Sequence, residues 1–215
     1  MADRADTGLQ RGTRAALLLA ASGLVAFGLV ALVHEGTRER IAATAHRQAL
    51  ARFDEVLAGH TYDNDLLADS ITLQDPESAG EATIVIARRS GEVVAVVMEI
   101  VAPNGYSGPI RLLVAIEPGG TVLAARVLQH KETPGLGDFI ETRKSDWIAR
   151  FTGRSPQSPA PAGWRVRKDG GEFDQYTGAT VTSRAIAGAV ARSLALFERR
   201  PAASVRRDGP GPTRR

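Results

Sequence analysis

The sequence predicts an α+β protein with a single N-terminal transmembrane helix and a helical stalk, followed by one mixed domain. Three observations predict it. An uncharged apolar run lies near the N-terminus, and two pairs of apolar, strand-like runs are joined by tight turn signals. The last regular segment repeats its apolar residues at helical spacing. At 215 residues the chain has room for one medium-sized domain with appendages, or for two small domains.

The elements follow in order. Residues 1–14 form a short N-terminal segment, expected on the cytoplasmic side. Residues 15–33, AALLLAASGLVAFGLVALV, contain no charge. A helix of about 19 residues rising 1.5 Å per residue spans roughly 28 Å, close to the hydrocarbon thickness of a bilayer, so lipid is its expected surrounding. A cleavable signal peptide is the competing reading, because Arg11 and Arg14 precede the run. The run exceeds the usual apolar length of a signal peptide, and the charged HEGTRER follows at once, which favours a retained anchor. Arg4, Arg11 and Arg14 before the run, set against Arg38 and Arg40 after it, give a mild preference for a cytoplasmic N-terminus.

Residues 34–60 read as an amphipathic stalk helix. Ile41, Ala45, Ala49, Phe53, Val56 and Leu57 recur at intervals that place them on one face, suited to packing on the domain that follows. His34, His46 and His60 do not share a face, so no metal site is expected from them, or anywhere else in the chain.

Residues 61–200 form the folded domain. ATIVIA and VVAVVMEI flank the turn RRSGE, and IRLLVAIE and VLAARVLQ flank PGG at Pro118 to Gly120. The apolar runs are continuous rather than alternating, which predicts a sheet covered on both faces by helices. GRSPQSPAPAGW, from Gly153 to Trp164, reads as a surface loop within the domain. Val181 to Phe197 reads as a helix burying Ile186, Val190, Leu194 and Phe197. Residues 201–215 are a basic, Pro/Gly-rich tail expected to be disordered.

Composition excludes several classes. There is no cysteine, hence no disulfide, thiolate nucleophile or cysteine-ligated metal cluster. The net charge of +3 comes from scattered arginines without a basic face or aromatic interleaving, so nucleic-acid binding is not expected. No Gly-x-Gly-x-x-Gly follows a predicted strand, which argues against a dinucleotide site.

Two motifs carry chemistry. In QHKETPGLGD, Gln129 to Asp138, Pro134, Gly135 and Gly137 let the backbone turn sharply and approach a ligand closely. His130, Lys131, Glu132, Thr133 and Asp138 surround it with polar groups, although a plain strand-end turn would look the same. In DQYTGATVTSR, Asp174 to Arg184, a helix begins amid several hydroxyls. Thr180 suits an N-cap, and the free amides of such a helix end also attract phosphate. Both readings stand on the residues alone. No base is placed beside Thr180 by spacing, so no self-sufficient nucleophile and no catalytic residue is expected.

Taken together, DQYTGAT, HKETPGLGD and GYSGPI resemble the FMN-binding domain of the RnfG component of the Rnf electron-transport complex, and that of the related NqrC component of the sodium-translocating NADH:quinone reductase. The resemblance implies FMN held by a phosphoester on the threonine that ends Asp-x-x-(Ser/Thr)-Gly-Ala-(Thr/Ser). Asp174, Thr177, Gly178, Ala179 and Thr180 fill that pattern, so Thr180 is the implied attachment residue, with Thr177, Gly178 and Ala179 beside the cofactor. Asp174 would belong to the recognition motif of an external flavin transferase (ApbE-type) that uses FAD as FMN donor. Glu132, Thr133, Leu136 and Gly137 are expected to line the ring or its ribityl chain; alternatively, their loop shapes the surface through which electrons pass. The implied function is an electron-relaying flavoprotein component of an ion-translocating ferredoxin:NAD⁺ oxidoreductase. Its partners would be the other Rnf subunits, and its domain would face the bacterial periplasm from the inner membrane. The rival readings are an anchored module that binds a phosphorylated ligand reversibly, an NqrC-type component of a quinone reductase, and a purely structural assembly protein.

Overall fold

The computed structural model describes residues 3–57, 59–75 and 80–199, so the expected tail at 201–215 lies outside the described residues. The chain divides into two compact units, Met1–Ala49 and Leu50–Arg215. The helix α1, Asp3–Leu57, runs through the first and contributes its last turns to the second.

Within the first unit, Leu19–Arg38 is long and apolar enough to cross a membrane, and none of it is buried by protein. Its hydroxyls return their hydrogen bonds to the helix itself: Ser22 donates to the Leu19 carbonyl at 2.9 Å and Thr37 to that of Val33 at 2.7 Å. A helix in hydrocarbon must satisfy its polar groups internally, and these two do.

The second unit is built on a five-stranded antiparallel meander in the order β1 (Ser70–Asp75), β2 (Gly80–Arg89), β3 (Glu92–Ala102), β4 (Ile110–Ile116) and β5 (Val122–Gln129). The four expected strands are all present, and β1 is an additional edge strand. The β2–β3 hairpin turns on Ser90 and Gly91, both at positive φ (52° and 84°), with Arg89 opposite Glu92. Two positive φ values form the tight turn whose twist matches that of the flanking strands.

Continuous apolar runs are explained by two covered faces. Val96, Met98, Ile100, Leu112, Val114 and Ile116 face one core, completed by Ile186, Val190, Leu194 and Phe197 of helix α2, Thr180–Arg199. Val85, Val97, Leu113 and Ala115 face a second core made with Phe53, Val56 and Leu57 at the end of α1 and with Leu66. The last turns of the expected stalk are thus part of the domain core.

Between β5 and α2 the chain forms four short 3₁₀ helices, at Gly137–Ile140, Trp147–Phe151, Pro161–Gly163 and Arg167–Asp169. A run of rings braces this region: Tyr176 stacks on Phe139 (centroids 4.4 Å apart), Phe139 meets the edge of Trp147 (5.1 Å), and Trp147 meets Phe151 (5.4 Å). Phe151 continues to Phe173 at 4.7 Å, so the segment leading into α2 is held from within.

Candidate functional site

The first turn of α2 separates its hydroxyls sharply. Ser183 is fully buried; its hydroxyl donates to the Ala179 carbonyl (3.1 Å) and accepts the Tyr176 amide (3.2 Å). Thr182 is fully buried and donates to the Glu132 carboxylate. Thr180 is half-buried and Thr177 exposed, and among the described residues neither hydroxyl has a hydrogen-bond partner.

The N-cap reading of Thr180 is corrected here. The first bond of the helix runs from the Ser183 amide to the Ala179 carbonyl at 3.1 Å, so Ala179 is the cap and Thr180 the first helical residue. Tyr176 O takes the Ala179 amide at 2.9 Å, and the amides of Thr180, Val181 and Thr182 have no acceptor among the described residues. An unpartnered hydroxyl therefore sits among three free N–H groups at the positive end of a 20-residue helix. That donor set fits a phosphoryl group, which brings only acceptors. Gly178, at φ 85°, makes the tight entry to the helix, and a Cβ there would touch Leu136 Cδ2 at 3.4 Å. Ala179 is buried beneath the turn.

The two motifs are therefore neighbours, and the third joins them through Glu132. This side chain is only 4 % exposed. Its Oε1 accepts the Ser107 amide at 2.9 Å, from the GYSGPI loop, and its Oε2 accepts the Thr182 hydroxyl. Gly137 is buried against it: a Cβ on Gly137 would lie 2.7 Å from Glu132 Cβ and 2.8 Å from Oε2. Thr133 is exposed, and its carbonyl accepts the amides of Leu136 (3.1 Å) and Gly137 (3.0 Å), closing the turn. Of the four loop residues singled out in the sequence, the structure puts Thr133 and Leu136 at the surface and turns Glu132 and Gly137 inward.

A polar network backs the loop. The Glu132 amide donates to His130 Nδ1 at 3.1 Å, which leaves Nε2 to carry the ring proton toward Glu141 Oε1 at 3.3 Å. Lys144 bridges Asp138 (2.5 Å) and Glu141 (3.1 Å). The ammonium holds both carboxyls below the usual carboxylate range, helped at Asp138 by the Gly135 amide. The two carboxylates in turn raise Lys144.

Asp174 lies outside this network. It pairs with Arg150 and with Arg167 (3.0 Å), and its carbonyl accepts the Trp147 indole N–H at 2.6 Å. Tyr176 and Val181, which the sequence did not single out, are 44 % and 41 % exposed and join Leu136, at 48 %, as apolar side chains at this end of the domain. No acidic or histidine cluster capable of holding a metal is found among the described residues.

Comparison with known proteins agrees with this assembly of motifs. A family model described as FMN-binding domain matches residues 105–195, spanning all three, and one described as RnfG N-terminal region matches residues 8–56. The chain is similar to the G component of the ion-translocating oxidoreductase complex of Cereibacter sphaeroides, 49 % identical over 183 residues, covering 85 % of this chain and 83 % of that protein. The same component from Pseudomonas aeruginosa (47 % over 189 residues, 86 % and 88 %) and from Escherichia coli strain K12 (46 % over 176 residues, 81 % and 85 %) is similar too. A crystal structure of Shewanella oneidensis NqrC superposes on 63 % of this chain and 71 % of its own, with TM-score 0.43 and 22 % identity. With its apolar N-terminal helix the chain is a membrane-anchored protein, and it belongs to the RnfG family, the G components of the ion-translocating oxidoreductase complex.

Proposed function

We propose that this chain relays electrons through FMN within an ion-translocating ferredoxin:NAD⁺ oxidoreductase, and that the FMN is tethered by a phosphoester to Thr180. The observation that carries the reading is the unpartnered Thr180 hydroxyl beside three free amides, within the segment matched by the FMN-binding family. The chain sits in the bacterial inner membrane through α1, with its domain on the periplasmic side and the other subunits of the complex around it. The arginines ahead of the apolar run support that orientation.

When bound, FMN supplies the electron chemistry of its isoalloxazine ring. The chain's own residues attach, hold and shield it. In attachment, Thr180 Oγ1 would form the new O–P bond to the FMN phosphate of FAD, the pyrophosphate P–O bond breaking and AMP leaving. The hydroxyl proton goes to a base of the flavin transferase, since among the described residues none lies within hydrogen-bond distance of Thr180. With FMN bound, the amides of Thr180, Val181 and Thr182 would hold its phosphoryl oxygens. The exposed apolar side chains of Leu136, Tyr176 and Val181 would shield the ring, with the exposed Thr133 hydroxyl in the same loop as Leu136. Asp174 serves the transferase as a recognition residue, in a form already paired with Arg150 and Arg167.

The test is direct. The full chain, produced with a flavin transferase and denatured, is expected to keep yellow fluorescence on a gel, with the added mass on Thr180 of the tryptic peptide Asp169 to Arg184. Thr180→Val abolishes the label and Thr177→Val leaves it. Fluorescence lost entirely on denaturation points instead to reversible binding of a phosphorylated ligand, and a label on Thr177 refutes the residue assignment.

A further inference from the structure

We propose that Glu132 is a positioning residue that holds the first turn of α2 from beneath, so that Thr180 and not Thr182 is the hydroxyl offered for modification. The proposal rests on Thr180 as the attachment residue. It starts from an imbalance between the two acidic side chains that are buried among the described residues of the domain. Asp138 has a cation, Lys144, at 2.5 Å, whereas Glu132 has no cationic partner among the described residues. Burying a carboxylate against neutral donors alone is costly, and an apolar pair of the same shape would fasten loop to helix more favourably. What an apolar pair would not do is direct a hydroxyl.

Glu132 directs one hydroxyl and anchors itself to one backbone amide. Oε2 takes the hydroxyl of Thr182, fifty residues away in sequence, and Oε1 takes the Ser107 amide at 2.9 Å. Its own backbone is fixed by the bond from its amide to His130 at 3.1 Å. The space it fills is kept open by Gly137, where a Cβ would sit 2.7 Å from Glu132 Cβ. Residues two apart on a helix are separated by roughly 200°, so drawing Thr182 inward turns Thr180 outward. The observed exposures agree: Thr182 is sealed and Thr180 half-open. With Ser183 tied to Ala179 and Tyr176, the pull on Thr182 leaves Thr180 as the only helical hydroxyl of this turn that a transferase can reach.

The experiment uses the full chain in detergent with Glu132→Ala, Glu132→Gln, Thr182→Val and Thr182→Ser. The first readout is amide hydrogen exchange of the unmodified protein. Glu132→Ala and Thr182→Val are expected to speed exchange in the first turns of α2 by about tenfold or more, with β2 to β4 unchanged, and Thr182→Ser to restore protection. The second readout is the fraction and position of covalent flavin after co-production with a flavin transferase. Glu132→Ala is expected to lower labelling of Thr180 by about fivefold or to spread it to other hydroxyls, because a loosened turn no longer presents one oxygen. Glu132→Gln keeps the shape and one acceptor, so it falls between Glu132→Ala and the parent even if the alanine variant fails to fold. Parent-like exchange and parent-like labelling of Thr180 in Glu132→Gln and Thr182→Val would overturn the proposal. Absence of covalent flavin from the parent defeats the attachment reading instead, and the exchange data then still decide whether Glu132 holds the turn.

Discussion

Replacing Gly137 with alanine tests the convergence of the three motifs without removing a hydrogen-bonding group. The added Cβ would stand 2.7 Å from Glu132 Cβ and 2.8 Å from its Oε2. Carbon atoms pack at about 3.5–4.0 Å, so the overlap is close to 1 Å. Glu132 is 4 % exposed, with both oxygens engaged, and has no room to swing aside. Overpacking of this kind costs about 1–3 kcal/mol, and near 2 kcal/mol is expected where the displaced neighbour is also hydrogen-bonded. For a domain of about 150 residues that lowers Tm by roughly 4–8 °C. Trp147 and Trp164 are both buried in the same domain, so tryptophan fluorescence of the full chain in detergent reports its melting. Gly119→Ala is the control, since its Cβ would meet nothing within 4 Å, and it should stay within about 0.5 kcal/mol of the parent. Equal Tm values for the two variants would refute the packing of Glu132 against Gly137.

Three further outcomes follow from the same structure. The Tyr62 phenol is pushed up to about 12, first by burial and then by its hydrogen bond to Asp54 at 2.9 Å. Absorbance titration should therefore show one of the three tyrosines ionising about two pH units late, and Tyr62→Phe should remove that step. Its stabilisation is complete below pH 10, where both states hold the proton, and is lost as pH rises through about 12. Asp138 and Glu141 are shifted the opposite way by Lys144, so the folded state binds fewer protons than the unfolded chain in acid. Their contribution is full above the ordinary carboxylate pKa of about 4 and disappears as pH falls through the lowered values, so Asp138→Asn should flatten the loss of Tm between about pH 5 and 3. Leu57→Ala, at a side chain 1 % exposed in the last turn of α1, should cost about 2–5 kcal/mol in denaturant melts followed by tryptophan fluorescence. A loss under about 1 kcal/mol would mean that this turn is not part of the core.

The sheet was legible because its two central hairpins are written in β-branched runs punctuated by turn residues, and their lack of alternation reported the two covered faces. The edge strand Ser70–Asp75, SITLQD, lacks such a run and owes its conformation to pairing with β2. The 3₁₀ turns between Gly137 and Asp169 have no period to read, because packed aromatic rings rather than backbone propensity hold them. At the site, the motif spacing marked the stretch where the helix begins, but not which carbonyl opens that helix, a matter of one residue that only the Ser183–Ala179 bond decides. Tyr176 occupied an unspecified position in its motif and gained its place by stacking on Phe139. Glu132 is expected from sequence to line the ring or its ribityl chain, and its bond to Thr182, fifty residues away, lies beyond the reach of any local pattern.

The meander also sets an order of assembly. Each strand pairs with the one just before it, so the sheet can zip up hairpin by hairpin with short loops to close. Helix α2 packs back on β3 and β4, and Thr182 reaches Glu132 only when the whole intervening segment is in place. Closing that longer loop carries a larger entropic cost than any hairpin, so it follows the sheet in time. The hydroxyl-bearing turn then takes shape after the sheet. Under the proposed attachment, a transferase that needs the finished turn would modify only chains that have completed folding, and loading the cofactor would then proofread the domain that carries it.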